Sequence, residues 1–410
     1  MLDLPFVRAQ FPAFSEPSLQ NQAFFENAGG SYTCRFVIDR LTRFYRERKV
    51  QPYAAYEASR LGGEEMDEAR ARLAALLGVQ TDELSFGPST SQNTYVLAQA
   101  FAQMLKPGDA IIVTNQDHEA NSGPWRRLAD RGLQIREWKM DPAAGHLDIA
   151  DLKNLLDERV KLVCFPHCSN IVAEINPVSE IAKLAHANGA YVCVDGVSYA
   201  PHGLPNVAAL GADVYLFSAY KTYGPHQGVM VVRRALADAL PNQGHFFNAD
   251  SRVKRLTPAG PDHAQIAASA GIADYIDALH AHHAQPAKSD APPTEKAAFV
   301  HDLMRGQEVA LLQPLLDYLA SKNSVRLIGP TRAEARAPTL AMILNEPAEP
   351  IAAKLAPKGV NIGGGHFYGA RCLQGVGVDP FAHGALRASF VHYTSPEEIQ
   401  KLIRALDEIL

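Results

Sequence analysis

Polar and ionisable residues recur along the sequence at the points where short apolar runs end. If these runs are strands of one parallel sheet, the residues that follow them meet at its carboxyl edge, where ligands of α/β sheets bind. A buried lysine at that edge would be costly without a partner or a reaction. The residues concerned are Ser89, Thr90, Ser91, Asp117, His118, Glu119, Ser169, Asn170, Asp195, Gly196, Ser218 and Lys221.

This set of groups matches the chemical needs of pyridoxal phosphate. A phosphate binds at a helix N-terminus that carries hydroxyls, and GPSTSQN supplies one. The pyridine nitrogen needs a carboxylate to stay protonated, and Asp195 follows the strand YVCVD. The aldehyde needs a lysine for a Schiff base, and Lys221 lies in SAYKTYGPHQG. His118 offers a flat cover for one ring face.

Each of these features has a simpler explanation when it is taken alone. An acid at a strand end is usually an Asx turn or a cap, and a serine-rich helix start is usually an N-cap. A lysine near a strand end is usually solvated. The order of all these features along one predicted sheet, rather than any one of them, indicates a cofactor site.

The elements that must position these residues alternate from about residue 64 to 240. Near-continuous apolar strands separated by helix-period segments predict an α/β fold with a mostly parallel sheet covered on both faces. The strands ADVYLFS and VMVVR have no helix between them, which predicts an antiparallel hairpin around Lys221. We expect an N-terminal arm (1–30), a large domain (31–275) and a small C-terminal α+β domain (276–410), with a polar insertion at about 280–297.

The composition and charge of the chain argue against several classes of partner. The chain of 410 residues is 47% hydrophobic and 20% charged, with a net charge of −5, which gives no reason to expect nucleic acid or a membrane surface as a partner. No apolar run reaches the roughly 18 residues of a membrane span. The five scattered cysteines suit a reducing cytoplasm. We expect no metal site, and the histidines His280, His282 and His283 are predicted to be solvated.

Seven stretches, in order, carry a resemblance to a known family. They are FFENAGGS, FGPSTSQNTY, DHEANSGPW, CSNIVAEINPV, VDGVSYAPH, SAYKTYGPHQG and LRASFVHYTSPEEI. The chain resembles the class V aminotransferases, the group of fold-type I pyridoxal-phosphate enzymes that contains cysteine desulfurases and selenocysteine lyases. The resemblance implies the fold-type I architecture, pyridoxal 5'-phosphate, an amino-acid substrate and a homodimer with active sites at its interface.

The resemblance also assigns roles to the residues of the cofactor site. By it, Lys221 carries the cofactor, Asp195 pairs with the ring nitrogen and His118 stacks on the ring. Thr90 and Ser91 hold the phosphate, with help from Ser218.

For the substrate, the resemblance places Asn170 near both cofactor and substrate. Arg387, in LRASF, matches the arginine that grips the substrate α-carboxylate, a bidentate task that suits a guanidinium. Asn27 and Ala28 fall where the N-terminal arm lines the substrate pocket.

Three departures from the family pattern affect the cofactor. Ser198 stands where desulfurases usually have a glutamine, and Tyr220 replaces the histidine usual before the lysine, so that a phenol takes over a phosphate contact. Pro261 stands where a threonine is expected to reach the partner subunit's phosphate. Gly260 or His263 could substitute for that contact.

A fourth departure concerns the reaction. Sulfur-transferring members carry a loop cysteine, often directly after a histidine, but here Phe367 follows His366. Cys372 is the nearest cysteine, and we interpret it as a half-buried helix residue. We therefore expect a pyridoxal-phosphate enzyme that acts on an amino acid without a loop persulfide, by transamination, β-elimination or epimerisation. The alternatives are a cysteine desulfurase that uses Cys372, or a non-catalytic member of the family that binds the cofactor.

Overall fold

The structure, a computed structural model, describes residues 1–260, 262–285 and 290–410. The contact expected near Pro261 and part of the polar insertion (286–289) lie outside the described residues. The strands are β1 (Ala23–Phe24), β2 (Leu84–Gly87), β3 (Ala110–Thr114), β4 (Gln134–Trp138), β5 (Val160–Pro166), β6 (Tyr191–Asp195), β7 (Val214–Ser218), β8 (Gly228–Val232), β9 (Arg326–Leu327), β10 (Thr339–Ile343), β11 (Val360–Asn361), β12 (Gly363–Gly365) and β13 (Ala385–Ser389).

Helices pack around these strands and connect most of them. They are α1 (Leu4–Arg8), α2 (Arg35–Glu47), α3 (Glu57–Leu76), α4 (Thr90–Met104), α5 (Gly123–Arg126), α6 (Ile149–Leu155), α7 (Val178–Ala187), α8 (Val207–Leu210), α9 (Arg234–Ala239), α10 (Arg252–Arg255), α11 (His263–Ala268), α12 (Ala270–His283), α13 (Pro293–Ala320), α14 (Ala348–Leu355), α15 (Ala370–Gly375) and α16 (Pro396–Asp407).

Seven strands form the large sheet, in the order β2-β8-β7-β6-β5-β3-β4. Neighbouring strands are parallel except that β8 is antiparallel to both β2 and β7. The predicted mostly parallel sheet and the predicted hairpin are therefore confirmed. Because β5, β6 and β7 run in the same direction, their carboxyl ends lie side by side at one edge.

The two faces of the large sheet explain why its strands are apolar throughout. Successive side chains of a strand point to opposite faces, and on β7 Tyr215 and Phe217 join one buried cluster while Val214 and Leu216 join another. Helices α2, α3, α11 and α12 cover the first face, and α4 lies against the second. Both faces are buried against apolar side chains, so the residues beyond the strand ends are the first polar groups that a ligand meets.

A second, four-stranded antiparallel sheet has the order β12-β13-β10-β9 and its own apolar cluster, which includes Leu340 and Leu386. The helix α13 spans the two parts of the chain, with Val300 in the cluster of the large sheet and Leu315 in that of the small sheet. The N-terminal arm contacts the C-terminal part of the chain, because β1 pairs in parallel with β11 in a separate two-stranded sheet. The division proposed at residue 276 falls within α12 and stays a proposal.

Some local predictions were wrong. The apolar spacing of HAQIAASAGIADYIDAL predicts one helix, but the structure has two, α11 and α12. Ser269 lies between them, and its hydroxyl donates to the Gln265 carbonyl (2.9 Å). His280 is buried rather than solvated, and its ring packs edge-on against Phe299 at 5.2 Å. Because α12 extends to His283 and α13 begins at Pro293, both ends of the predicted insertion are helical.

The segment WRRLADRG, which follows β3 and whose sequence predicts a helix, is only partly α-helical. Its first residues lie in α5, and a 3₁₀ turn over Arg127–Arg131 follows and ends at Gly132, whose φ is 83°. Within the described ranges, no helix combines the length and the apolar composition that crossing a bilayer requires.

Candidate active site

The carboxyl edge of the large sheet opens into an inner cavity of about 220 Å³. It brings together eight of the twelve residues that the sequence placed beyond the strand ends. The other four, Asp117, Glu119, Ser169 and Gly196, do not line it. Its lining consists of Ser89, Thr90, Ser91, His118, Ala120, Pro166, Cys168, Asn170, Asp195, Val197, Ser198, Ser218, Tyr220, Lys221 and His226.

Lys221 lies in the 3₁₀ turn that follows β7 and is 6% exposed. The turn is fixed because the Ala219 N–H donates to the Gln227 carbonyl across the hairpin (2.8 Å), and the Thr222 N–H donates back to the Ala219 carbonyl (2.8 Å). Burial, reinforced by the positive charge of Arg387, lowers the pKa of the Lys221 amine to about 8. At neutral pH a fraction of this amine is therefore uncharged and nucleophilic.

Asp195 ends β6, next to β7, and is 5% exposed. One carboxylate oxygen accepts a hydrogen bond from the Val197 N–H (2.9 Å). Burial raises the pKa of Asp195 to about 6, while that bond and the charge of Lys221 act in the opposite direction. A second cation beside this carboxylate would be stabilised, since the charge of Asp195 is only partly balanced by what surrounds it.

At the other end of the inner cavity, the N-terminus of α4 approaches the start of β8 closely. A side chain at Gly228 would place its Cβ 2.3 Å from the Ser89 carbonyl carbon and 2.5 Å from the Thr90 nitrogen. Thr90 and Ser218 share a hydrogen bond between their hydroxyls (2.8 Å). The first N–H groups of a helix lack acceptors within it, so this end of the cavity suits an anion.

His118 follows β3 and faces both the inner cavity and the space outside it. Its Nδ1 accepts a hydrogen bond from the Ala120 N–H (3.1 Å). Burial, together with the charges of Lys221 and Arg387, lowers the pKa of His118 to about 3, so its ring is neutral at neutral pH. The preceding Asp117 is buried and holds the turn by accepting hydrogen bonds from Thr114 (2.6 Å) and Asn121 (2.9 Å).

An outer chamber of about 570 Å³ adjoins the inner cavity. Both parts share Ser91, His118, Asn170, Tyr220 and Lys221, so a ligand in the chamber reaches the lysine. The full lining is Glu26, Ala28, Gly29, Ser91, Tyr95, His118, Glu119, Ala120, Gly123, Arg127, Asn170, Tyr220, Lys221, Phe367, Tyr368 and Arg387.

Arg387, on β13, is the buried cation of this chamber and is 3% exposed. Its guanidinium forms an ion pair with Glu26, donates to the Asn170 carbonyl (3.3 Å) and lies 3.8 Å from the centre of the Phe367 ring. Burial lowers the pKa of Arg387, and Glu26 opposes this shift. Among the described residues, none accepts a hydrogen bond from Nε of Arg387, and none donates one to the side-chain oxygen of Asn170. Both atoms are buried and unpaired, so a ligand that bonded to either would satisfy it.

The two predicted arm residues behave differently. Ala28 lines the outer chamber, and its N–H donates to the Ser389 hydroxyl (2.8 Å). The Asn27 side chain instead donates to the Ser389 carbonyl (3.2 Å) and accepts from the Tyr393 hydroxyl. The structure therefore uses Asn27 to fasten the arm and does not bring its amide into the chamber.

Where the sequence departs from the family pattern, the structure supplies other groups. Ser198 and Tyr220 both line the inner cavity. The Tyr220 ring stacks on His226, with ring centres 4.7 Å apart and planes inclined by 5°. His226 lies within the SAYKTYGPHQG stretch but was not singled out from the sequence.

Cys372 lies on α15 and is fully buried rather than half-buried, with its sulfur 3.9 Å from the Met140 sulfur. Burial raises the pKa of this thiol to about 12. All five cysteines, which lie in the described part of the chain, are free and buried. Phe367, directly after His366, lines the outer chamber instead.

Four further residues with charged or aromatic side chains were missed in the sequence, namely Glu26, Tyr95, Arg127 and Tyr368. Glu26 could have been found from the sequence, because it directly precedes Asn27, a predicted site residue. Tyr95 lies one helical turn after Ser91 on α4 and therefore on the same face. No sequence pattern pointed to Tyr368, because only the fold of the small sheet brings it to the chamber. In the part of the chain that the structure covers, no group of three acidic, histidine or cysteine side chains could hold a metal ion.

Comparison with known proteins identifies the family of the chain. The family model for Aminotransferase class-V matches residues 23–277. The aminotransferase-like protein FGM3 of Gibberella zeae is 34% identical over 98% of both chains, and a cysteine desulfurase of Serratia proteamaculans is 30% identical over 98% of this chain and 97% of its own.

Among solved structures, the cysteine desulfurase of Thermococcus onnurineus, in its apo form, superposes with a TM-score of 0.85 at 23% identity, covering 100% of this chain and 98% of that chain. This likeness shows the fold-type I architecture expected from the sequence. The protein therefore belongs to the class V aminotransferase family of pyridoxal-phosphate-dependent enzymes.

Proposed function

We infer that this chain binds pyridoxal phosphate in the inner cavity and transforms an amino acid held in the outer chamber. The observation that carries the proposal is a buried lysine, Lys221, which shares one cavity with the buried carboxylate of Asp195 and with the N-terminus of α4. No other described lysine is buried. A structural role alone would not offset the cost of burying an amine.

The residues of the inner cavity fit the three parts of this cofactor. The α4 N-terminus, with Thr90, Ser91 and Ser218, suits the phosphate, because it offers hydroxyls and N–H groups at one end. Asp195 suits a protonated ring nitrogen at the other end. Tyr220 adds a phenol, and Ser198 a hydroxyl, along the wall between them.

His118 suits the face of the ring. Since its imidazole is neutral at neutral pH, it can cover the ring without placing a second positive charge beside the pyridine nitrogen. When bound, pyridoxal phosphate supplies an electron sink for charge that develops at the α-carbon of an amino acid.

The remaining steps belong to residues of the chain. Arg387 binds the substrate carboxylate, and the unpaired side-chain oxygen of Asn170 accepts a hydrogen bond from the ligand. The Lys221 amine, whose pKa is about 8, removes or returns a proton at the α- or β-carbon. Return of the proton to the opposite face of the α-carbon would give epimerisation, and its transfer to the cofactor would give transamination. Departure of a leaving group from the β-carbon would give β-elimination.

We further propose that the reaction uses no enzyme-bound persulfide. The burial of Cys372 and the raised pKa of its thiol oppose a nucleophilic role, because the thiolate is the reactive form. The retention of Lys221, Asp195, His118 and Arg387 in one site argues against a non-catalytic role.

The test is to reduce the holoenzyme with borohydride and to locate the label by peptide mass mapping. We expect a yellow protein whose label lies on Lys221, and a Lys221→Ala variant that takes up none. A label on another lysine would overturn the assignment. A panel of amino acids, followed by absorbance and by product chromatography, then identifies the reaction, and the absence of any spectral change would favour a non-catalytic member.

We also propose a cytoplasmic homodimer. Phe246 and Phe247 are 88% and 70% exposed, which is unusual for neighbouring aromatic side chains unless a partner covers them. Light scattering should give twice the 44.5 kDa of one chain, and the double variant Phe246→Ser/Phe247→Ser should give a smaller mass. A monomeric wild-type protein would contradict this proposal.

A further inference from the structure

Two consecutive residues with large side chains adopt the left-handed backbone conformation in the wall of the outer chamber. Phe367 has φ 49° and Tyr368 has φ 56°, in the loop between β12 and α15. This conformation costs free energy for residues other than glycine, and it persists only where surrounding contacts impose it. Such strain concentrates at ligand sites.

The contacts that impose this conformation come from the large sheet's side of the site. The Asn170 side-chain N–H donates to the Phe367 carbonyl (2.8 Å), and the Glu119 N–H donates to the Tyr368 carbonyl (2.8 Å). The Tyr368 N–H donates to Nδ1 of His366 (3.1 Å). The loop is therefore tied at successive residues to segments that follow β5 and β3.

The fixed backbone gives each ring a defined place. The guanidinium carbon of Arg387 lies over the Phe367 ring, 3.8 Å from its centre. Gly363 makes room for this ring, since a Cβ there would be 2.8 Å from it. The Tyr368 ring lies 5.4 Å from that of His118, inclined by 34°, and remains 67% exposed. The Phe367 ring thus lies next to Arg387, the proposed carboxylate-binding group. The Tyr368 ring lies next to His118, which we propose to face the cofactor.

The chamber is wide and has further aromatic walls. Tyr95 and Tyr220 complete a set of four rings around a volume of about 570 Å³. A one-carbon side chain bound with its carboxylate at Arg387 would offer little apolar surface to these rings. A large apolar side chain would cover them and would remove their apolar surface from water.

We propose that Phe367 and Tyr368 form a specificity element, which selects amino acids with aromatic or other large apolar side chains over alanine and cysteine. This rests on the proposed function, in that the chamber holds the substrate and Arg387 binds its carboxylate. The strained loop is the means by which the rings keep their places when the chamber is empty.

The first test compares substrates on the wild-type holoenzyme. We expect kcat/KM for phenylalanine to exceed that for alanine or cysteine by about a hundredfold, because each added methylene in an apolar pocket is worth roughly tenfold or more. Equal or better use of alanine or cysteine overturns the proposal.

The second test uses variants that keep the backbone conformation. Tyr368→Asn removes the ring but tolerates the left-handed region, and Tyr368→Phe keeps the ring. We expect Tyr368→Asn to lower the ratio of kcat/KM for phenylalanine to that for alanine at least about tenfold, and Tyr368→Phe to keep the wild-type ratio. Phe381→Ala, which removes a ring that is 78% exposed and does not line the chamber, is the control. Equal losses for both substrates would show that Tyr368 is only structural.

Binding of unreactive carboxylates separates this proposal from the proposed function. We expect calorimetry on the holoenzyme to show tighter binding of 3-phenylpropionate than of propionate by at least about tenfold, with the difference lost in Tyr368→Asn. If no amino acid reacts, the proposed function fails while this comparison still decides specificity. A preference below about threefold in the wild type overturns the inference.

Discussion

Glu26 of the N-terminal arm forms an ion pair with Arg387 of β13, across a separation of 361 positions in the chain. The pair is possible because Gly363 has no side chain, and a Cβ there would lie 2.2 Å from the Glu26 carboxylate. The proposed substrate-binding arginine is therefore already paired with a carboxylate of the protein. A substrate carboxylate must displace Glu26 or share the guanidinium with it.

The variant Glu26→Gln tests this competition. We expect the KM for the amino-acid substrate to fall about tenfold, because the buried guanidinium then gains more from the substrate's charge. The free energy of unfolding should fall by about 1–3 kcal/mol through the lost pair. Glu346→Gln, which affects an exposed pair with Lys354, is the control. A raised KM in Glu26→Gln would mean that Glu26 itself contacts the substrate.

The buried amine of Lys221 should make the stability of the cofactor-free protein depend on pH. Below pH 8 the amine is charged in both the folded and the unfolded state, and its burial then costs on the order of 3 kcal/mol, from the difference between a pKa of about 8 and the ordinary 10.5. Between these two values the unfolded state binds more protons, so stability rises with pH.

Lys221→Met should accordingly be more stable than the wild type below pH 8, and this advantage should vanish by about pH 10.5. Denaturant unfolding followed by circular dichroism at several pH values measures it. Lys139→Met, at an exposed position, should show no pH-dependent difference. A stability difference that is constant with pH would refute the buried charge.

Removal of the Asp195 carboxylate should abolish most turnover while some cofactor stays on Lys221. We expect both Asp195→Ala and Asp195→Asn to lose about a hundredfold or more in kcat, since neither keeps the ring nitrogen protonated. The asparagine variant keeps the size of the side chain and an acceptor for the Val197 N–H, so its loss of turnover reports the loss of the negative charge alone. Unchanged turnover in Asp195→Asn would show that another group protonates the ring.

The fold class and most of the inner cavity could be predicted from the sequence, because the relevant information is local. Asp195 and Lys221 each end or follow an apolar strand, and parallel strands bring their ends together whatever the details of packing. Thr90 begins a helix with a clear serine cap. These three residues needed no knowledge of distant contacts.

The outer chamber could not be predicted to the same extent. The pairing of Glu26 with Arg387 depends on the register between the arm and β13, and the left-handed Phe367 and Tyr368 depend on hydrogen bonds from Asn170 and Glu119. The burial of His280 likewise comes from packing against Phe299, which no local pattern records. Tertiary contacts decide each of these features.

Replacing the two residues that distinguish the alternative reactions should give very different losses. We expect Cys372→Ala to keep most activity, with no persulfide after incubation with cysteine. Arg387→Ala removes a charged contact in a desolvated site and should cost about 2–5 kcal/mol in transition-state binding, or orders of magnitude in kcat/KM. Mass spectrometry and steady-state kinetics measure both. Equal inactivation, with fold and cofactor intact, would establish Cys372 as a nucleophile.

Gly228→Ala should weaken the phosphate end of the cavity. Its new Cβ would meet the backbone of Ser89 and Thr90 at 2.3–2.6 Å, so the α4 N-terminus has to move away from Ser218. We expect weaker binding of pyridoxal phosphate, by about tenfold or more, and a lower Tm. Gly306→Ala, which lies in α13 with open space around it, should instead stabilise the protein by up to about 1 kcal/mol. Unchanged cofactor affinity in Gly228→Ala would contradict the close approach.

The pairing of β1 with β11 has a consequence for the protein during its synthesis. Ala23 and Phe24 leave the ribosome early, but their partners Val360 and Asn361 are made near the end of translation. Until those partners are made, the arm has no strand to pair with, and Phe25 is not buried in the cluster of the small sheet. The large sheet, whose strands lie between residues 84 and 232, can already form at that stage. A nascent chain halted before β11 would hold Lys221 and Asp195 in place but would lack both Arg387 and the strand that seats Glu26. Translation thus completes the lysine's surroundings first and the carboxylate-binding side of the chamber last.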